Sequence, residues 1–157
     1  MRGRIQHQLQ PARLAPFQAR AYCAGLIDGD GCISIVRQLK RDARRGYIFR
    51  LSLDITQNHL GTLMDFQNLL QLPGRVYQVN RDPSQNRDSY LLNYSGVQAL
   101  AVIQAVLPYL MRKQHEAQVA IEFMTRCEIH RHFGPKGCPE HVWRHRERLY
   151  RKMKNLK

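Results

Sequence analysis

Ala24-Gly25-Leu26-Ile27-Asp28-Gly29-Asp30-Gly31 joins an apolar, helix-like run to a β-branched one. Ala21, Tyr22 and Cys23 precede it, and Cys32-Ile33-Ser34-Ile35-Val36 follow. Two carboxylates, each followed by a glycine, therefore stand where a helix gives way to a strand. Asp-Gly is an ordinary turn dipeptide. A carboxylate fixed at the meeting of two rigid elements is also a good seat for a hard, oxygen-seeking cation.

Upstream, Pro16 suits the first turn of a helix, where its missing N–H is not needed. The spacing predicts a helix from about Pro16 to about Asp28. Ala21, Gly25 and Gly29 are four apart and form one small-residue ridge. Such a ridge either packs on the chain's own sheet or lets another backbone approach closely. The pattern does not choose between the two.

Downstream, residues 31–39 read as a strand and 41–46 as a charged loop. Residues 47–56 alternate, with Phe49, Leu51, Leu53 and Ile55 on one face and Arg50, Ser52 and Asp54 on the other. That is a half-buried antiparallel strand. Helical spacing over 59–71 ends at Pro73-Gly74. Strands follow at about 75–80 and 88–94, then an apolar helix at 96–107 stopped by Pro108. A further helix covers 112–130, and the basic tail from Glu140 to Lys157 has helical character. The order predicts an α+β fold with one antiparallel sheet and helices on one face. The polar face is left for a ligand.

At 157 residues the chain fits one domain. Its apolar runs are too short to span a bilayer. A net charge of +13 points to a polyanionic partner, most often nucleic acid. Nineteen arginines against six lysines favour forked recognition of phosphate and guanine. A GC-rich genome would inflate arginine as well.

Cys23, Cys32, Cys127 and Cys138 form no Cys-x-x-Cys pair. With no secretory apolar segment, they read as reduced thiols of an intracellular protein. Cys127, His130, His132 and Cys138 invite a zinc reading, but the two histidines fit no common finger spacing. Residues 1–27 carry arginines and no acid. They suit either an organellar transit peptide or a basic arm on nucleic acid, so the location is a chloroplast or mitochondrion, or a bacterial cytoplasm.

Residues 24–31 resemble the motif of the LAGLIDADG homing endonucleases, with Gly29 where alanine is usual. Leu53-Asp54-Ile55-Thr56-Gln57 resembles the family's second strand, and Leu107 to Gln114 resembles its Pro-turn and Lys-Gln helix start. The resemblance covers about residues 16–130. It leaves a basic arm at 1–15 and an extension at 131–157, all read within a single domain. It implies the αββαββα arrangement, with a saddle-shaped antiparallel sheet and additional C-terminal helices. One motif per chain implies a homodimer. Ala21, Gly25, Asp28 and Gly29 would lie at the two-fold seam, over a long, roughly palindromic double-stranded DNA target.

The implied chemistry is phosphodiester hydrolysis. It requires an activated water, charge neutralisation and in-line geometry, all within reach of carboxylate-bound Mg²⁺. Mn²⁺ would substitute, and Ca²⁺ would bind without supporting cleavage. Asp30 is the expected metal ligand, assisted by the Gly29 carbonyl. Lys113 would stabilise developing charge or lower the pKa of the attacking water. Gln57 would orient water. Asp28, on the last helical turn, reads as structural.

Base and backbone contacts are expected from the polar sheet face. They would come from Ser34, Gln38, Lys40, Arg50, Ser52 and Asp54 on the first hairpin. On the second they would come from Arg75, Tyr77, Arg81, Arg87, Ser89 and Asn93. Arg50 and Arg75 are the candidates for guanine. Asp54 would accept from cytosine or position Arg50. The basic tail, with Arg144, Arg146, Arg148, Arg151 and Lys152, would track phosphates, and Trp143 would anchor its packing. The leading reading is a Mg²⁺-dependent, site-specific endonuclease that leaves short 3′ extensions. The alternative is an RNA maturase or a DNA-binding regulator that has lost cleavage. The presence of Asp30, Gln57 and Lys113 together favours the nuclease.

Overall fold

The computed structural model describes residues 4–79, 88–127, 133 and 137–157. Pro16 opens the first helix, α1 (Pro16–Asp30). There the Gln18 side chain accepts the N–H of Ala15 at 3.3 Å, which satisfies one exposed donor of the first turn. The helix passes without a loop into β2 (Gly31–Leu39). Gly31 makes this possible, because a Cβ there would lie 2.8 Å from the Cα and carbonyl oxygen of Ile27. The helix runs two residues beyond the expected Asp28, so both motif carboxylates lie on its last turn.

β2 pairs in antiparallel register with β3 (Tyr47–Gln57), Ile33 opposite Leu53 and Ser34 opposite Ser52. The helix α2 (Leu60–Leu70) follows, then β4 (Arg75–Val79), β5 (Ser89–Ser95) and α3 (Val97–Val106). A 3₁₀ turn at Leu107–Tyr109 leads to α4 (Gln114–Arg126), and α5 covers Glu140–Asn155. A short first strand, β1 (Arg4–Ile5), completes a five-stranded sheet in the order β1-β4-β5-β3-β2, antiparallel throughout.

The period-2 pattern sorts the strands into two faces. Ile33, Ile35, Phe49, Leu51, Leu53, Ile55, Val76, Leu92 and Tyr94 are buried against the helices. α1 contributes Cys23, Ala24 and Ile27 to this core, α2 Leu63 and Phe66, and α3 Val102 and Ile103. Burial of this kind, at roughly 25 cal/mol per Å² of apolar surface, holds the helical layer on one side of the sheet. The opposite face is left open. Among the described residues no helix is long and apolar enough to cross a membrane.

The ends of the chain differ from their reading as appendages. Arg4 and Ile5 pair with Tyr77 and Val76 at the sheet edge. Beyond them Asn68 Oδ1 lies 3.0 Å from the His7 ring and accepts the Gln10 N–H at 2.9 Å. The arm is thus fastened along α2. The basic tail is likewise a packed helix. Val142, Trp143, Leu149 and Met153 of α5 are buried, and Trp143 packs on Tyr47 and Phe49 with ring centroids 5.2 Å away. Arg146 turns inward and donates to the Cys127 carbonyl at 3.0 Å. Arg144, Arg148 and Arg151 pair with Glu140, Glu122 and Glu147. Because α5 docks on the helical side, these arginines do not line the open sheet face. Helix α4 begins at Gln114 and ends at Arg126, shorter at both ends than expected.

Candidate active site and nucleic-acid interface

Asp28 and Asp30 are two residues apart on one helical turn, so they leave the axis roughly 200° apart. Their environments differ accordingly. Asp28 turns toward the segment that opens α4. Its Oδ2 accepts the N–H groups of Met111 at 2.8 Å and Arg112 at 3.2 Å, and its Oδ1 accepts that of Lys113 at 2.9 Å. These are the N–H groups of the three residues just before α4, so the carboxylate fixes the approach to that helix. The motif places Asp28 at the seam between two copies. Within its own chain the carboxylate joins α1 to the segment that leads into α4. Burial is the largest influence on this carboxyl and raises its pKa. The three N–H bonds and the nearby Lys113 cation together outweigh burial and hold it below the usual value.

Lys113 closes the same joint from the other side. Its ammonium donates to the carbonyls of Ile27 at 2.8 Å and Asp28 at 2.7 Å. A cation here meets the negative end of the α1 dipole. Burial and then the Arg112 cation lower its pKa, against the opposing pull of Asp28 and Glu116. Two of the three ammonium hydrogens are committed to the backbone, which leaves one for a reacting group.

Asp30 faces the end of β3. Pairing of β2 with β3 begins at Gly31 opposite Ile55, so β3 runs two residues past the start of β2. Gln57, the last of them, donates from Nε2 to Asp30 Oδ2 at 2.6 Å. The other carboxylate oxygen takes no hydrogen bond among the described residues. Asp30, Gly29 and Gln57 thus come together, and Lys113 binds one helical turn away.

The residues at this point fit a hard divalent cation in kind, since every donor is oxygen. They fall short in number. Among the described residues no group of three or more His, Cys, Asp or Glu side chains could hold a metal. One chain supplies the Asp30 carboxylate and the adjacent Gly29 carbonyl. Water, phosphate oxygens and a second carboxylate would have to complete the set.

The ridge of α1 is open. Ala21, Gly25 and Gly29 are exposed, and a Cβ placed on either glycine would meet nothing within 4 Å. The chain's own sheet therefore does not use this ridge.

On the open sheet face the register gathers the expected contact residues. Ser34 stands opposite Ser52, Gln38 opposite Ile48, Arg75 opposite Asn93 and Tyr77 opposite Leu91. Asn93 ties the middle together. Its Nδ2 donates to Ser52 Oγ at 3.0 Å and Asp54 Oδ1 at 2.6 Å, while Ser52 donates to Asp54 Oδ2 at 3.2 Å. Arg50 pairs with the Ser95 hydroxyl, so Asp54 does not position it. Ser52 and Ser89 are 7% and 8% exposed, which leaves their neighbours to meet a ligand. Lys40 lies beyond the strand, paired with Asp42 at 3.7 Å. Arg81, Arg87, His130 and His132 lie outside the described residues. Cys127 and Cys138 form no disulfide among the described residues, and burial pushes the Cys127 thiol up to about 11.

Sequence reasoning misses the apolar members of this face. Leu91 and Val79 share a hollow of about 530 Å³ with Asp54, Thr56, Tyr77 and Asn93. Their signal is present, because 89, 91, 93 and 95 alternate outward. Leu91 escapes notice because apolar residues are usually assigned inward.

The sheet and its helical layer recur in solved structures. The homing endonuclease I-CvuI in complex with an I-CreI target superimposes with a TM-score of 0.72 at 23% identity, over 90% of this chain and 83% of that one. The archaeal intron-encoded homing endonuclease I-Vdi141I complexed with DNA gives 0.70 at 14% identity, over 91% and 86%. The I-LtrWI LAGLIDADG homing endonuclease bound to target DNA gives 0.65 at 17% identity, over 98% of this chain but 48% of that one. No curated protein matches by sequence. Residues 23–130 match the LAGLIDADG endonuclease family, whose motif spans the Asp30-bearing turn, so the chain belongs to that family and is a DNA endonuclease.

Proposed function

We propose that the protein is a site-specific homing endonuclease that cleaves a long, pseudo-palindromic DNA duplex as a homodimer with Mg²⁺, leaving short 3′ extensions. The observation that carries this reading is the Asp30 corner: a lone exposed carboxylate, steadied by Gln57 at 2.6 Å, beside a bare ridge of Ala21, Gly25 and Gly29. Two copies of α1 packed along that ridge would bring two Asp30 carboxylates together. This would supply the second acid that the described residues of one chain do not bring to the corner. The match of nearly the whole chain to 48% of I-LtrWI is consistent with such pairing.

Bound Mg²⁺ would provide Lewis acidity toward the scissile phosphate and a more acidic attacking water. The chain's own residues do the rest. Asp30 and the Gly29 carbonyl would hold the ion. Gln57 fixes the orientation of the Asp30 carboxylate and keeps a carbonyl oxygen for a water. Lys113 holds the end of α1 in place and turns its remaining hydrogen toward developing charge. On the sheet face, Arg50, Arg75 and Asn93 present donors and acceptors for base edges, while Leu91 suits a thymine methyl.

Screening a duplex library of intron-insertion sites with Mg²⁺ tests the reading. Cleavage at one site, within a sequence of approximate two-fold symmetry, is expected. A library left uncut, with duplex or RNA binding intact, would favour the regulator or maturase.

A further inference from the structure

Helix α5 docks on the helical side of the sheet, yet a side chain just beyond it reaches a residue of the other face. Beyond α5, Lys157 places its ammonium 3.0 Å from the Cys32 sulfur. Cys32 is exposed and pairs with Asp54, an open-face residue. β2 is an edge strand, and the Lys157 side chain reaches across that edge. There it closes one side of a cavity of about 440 Å³, walled by Gly29, Cys32, Arg112, Lys113, Glu116 and Lys157.

The charges in this cavity do not balance. Among the described residues that line it are three cations and one carboxylate, Glu116, with Asp28 acting on Lys113 from behind. Lys113 is held by two carbonyls. Among the described residues neither Arg112 nor Lys157 has a carboxylate within ion-pairing distance. The wall shared with Gly29 sets the cavity directly beside the Asp30 corner.

We propose that this cavity seats a backbone phosphate of the DNA next to the cleavage centre, with Arg112 and Lys157 as its ligands. The inference rests on the nuclease reading above. The Cys32 sulfur is only a weak acceptor for an exposed lysine. The lysine gains a partner when a phosphate enters between it and Arg112. The fork of Arg112 suits two phosphate oxygens, and Lys157 acts as a point charge. Contacts of this kind fix register rather than sequence. Lys157 is thus a positioning residue for the scissile bond.

The test uses the full chain and the duplex cut by the wild-type protein, with Ca²⁺ in place of Mg²⁺ for binding. Lys157→Met is expected to reduce the slope of log affinity against log salt by roughly 0.9 for each phosphate no longer neutralised. Lys157→Arg should retain the slope, and Arg126→Met, exposed at the far end of α4, should leave it unchanged. Bound duplex should also slow maleimide labelling of Cys32 at least tenfold. A Lys157→Met protein with the wild-type slope, or a Cys32 that stays reactive while DNA is bound, would overturn the phosphate seat and leave the nuclease reading standing. A wild-type protein that cuts no duplex would bring down the reading itself, and this inference with it.

Discussion

Gln57 donates to the carboxylate of Asp30 at 2.6 Å from a strand that outruns its partner by two residues. That overhang converts the end of β3 into a support for the acid at the end of α1. Partners that orient a metal-binding carboxylate typically matter by 10–100-fold in affinity or activity. Gln57→Ala is therefore expected to slow single-turnover cleavage by about that factor with little change in DNA binding. Gln57→Glu sets a second carboxylate against the first. Like charge disfavours ionisation, so the rising limb of the pH–rate profile should move to higher pH. A profile unchanged in both variants would remove Gln57 from the site.

The ridge on α1 makes a prediction of unusual sign. Nothing lies within 4 Å of a Cβ at Gly25, and replacing a helical glycine gains about 0.5–1 kcal/mol of helix propensity. Gly25→Leu should leave the isolated chain as stable as wild type or slightly more so, while abolishing self-association in sedimentation. A dimer that persists with the leucine in place would mean that the two copies meet elsewhere.

Asp28 joins α1 to the segment that leads into α4 through three N–H bonds. Loss of partly exposed hydrogen bonds of this kind costs about 1 kcal/mol, and Asp28→Ala should show that loss in urea denaturation at pH 7. The folded pKa lies below the ordinary value. The contribution is therefore present in full above the unfolded pKa and disappears as pH falls through the folded one. Wild type and Asp28→Ala should converge in stability as the pH drops below about 4. A gap that stays constant to lower pH would assign the effect to packing instead.

Gly31 admits no side chain, since its Cβ would fall 2.8 Å from the Ile27 backbone. Gly31→Ala should destabilise the protein by about 1–3 kcal/mol and also lower cleavage, because the crowding occurs at the turn that aims Asp30. Thermal melting and a cleavage assay below the melting range separate the two effects.

The Asp30 corner is legible in the sequence because its parts follow a local pattern: an apolar helix, an acidic turn and a β-branched strand. The alternation of Phe49, Leu51, Leu53 and Ile55 sets the two sheet faces. Other features depend on distant contacts that no local pattern encodes. Asp28 finds its donors 83 to 85 residues away, so its orientation cannot be read from the motif. Arg4 and Ile5 make a strand too short for alternation to register. The positive charge of the tail suggests a free phosphate tracker. The apolar spacing of Val142, Trp143, Leu149 and Met153 instead folds it onto the sheet's buried side, and Glu122, Glu140 and Glu147 pair with three of its arginines.

The central claim is that Asp30 carries the chemistry and not the binding. Cleavage of the cognate duplex by wild type and Asp30→Asn, compared at equal DNA occupancy in Mg²⁺, tests it most directly. The expected result is affinity within a few-fold of wild type and cleavage reduced by on the order of 10³ or more. An Asp30→Asn protein that cuts at the wild-type rate would contradict the account.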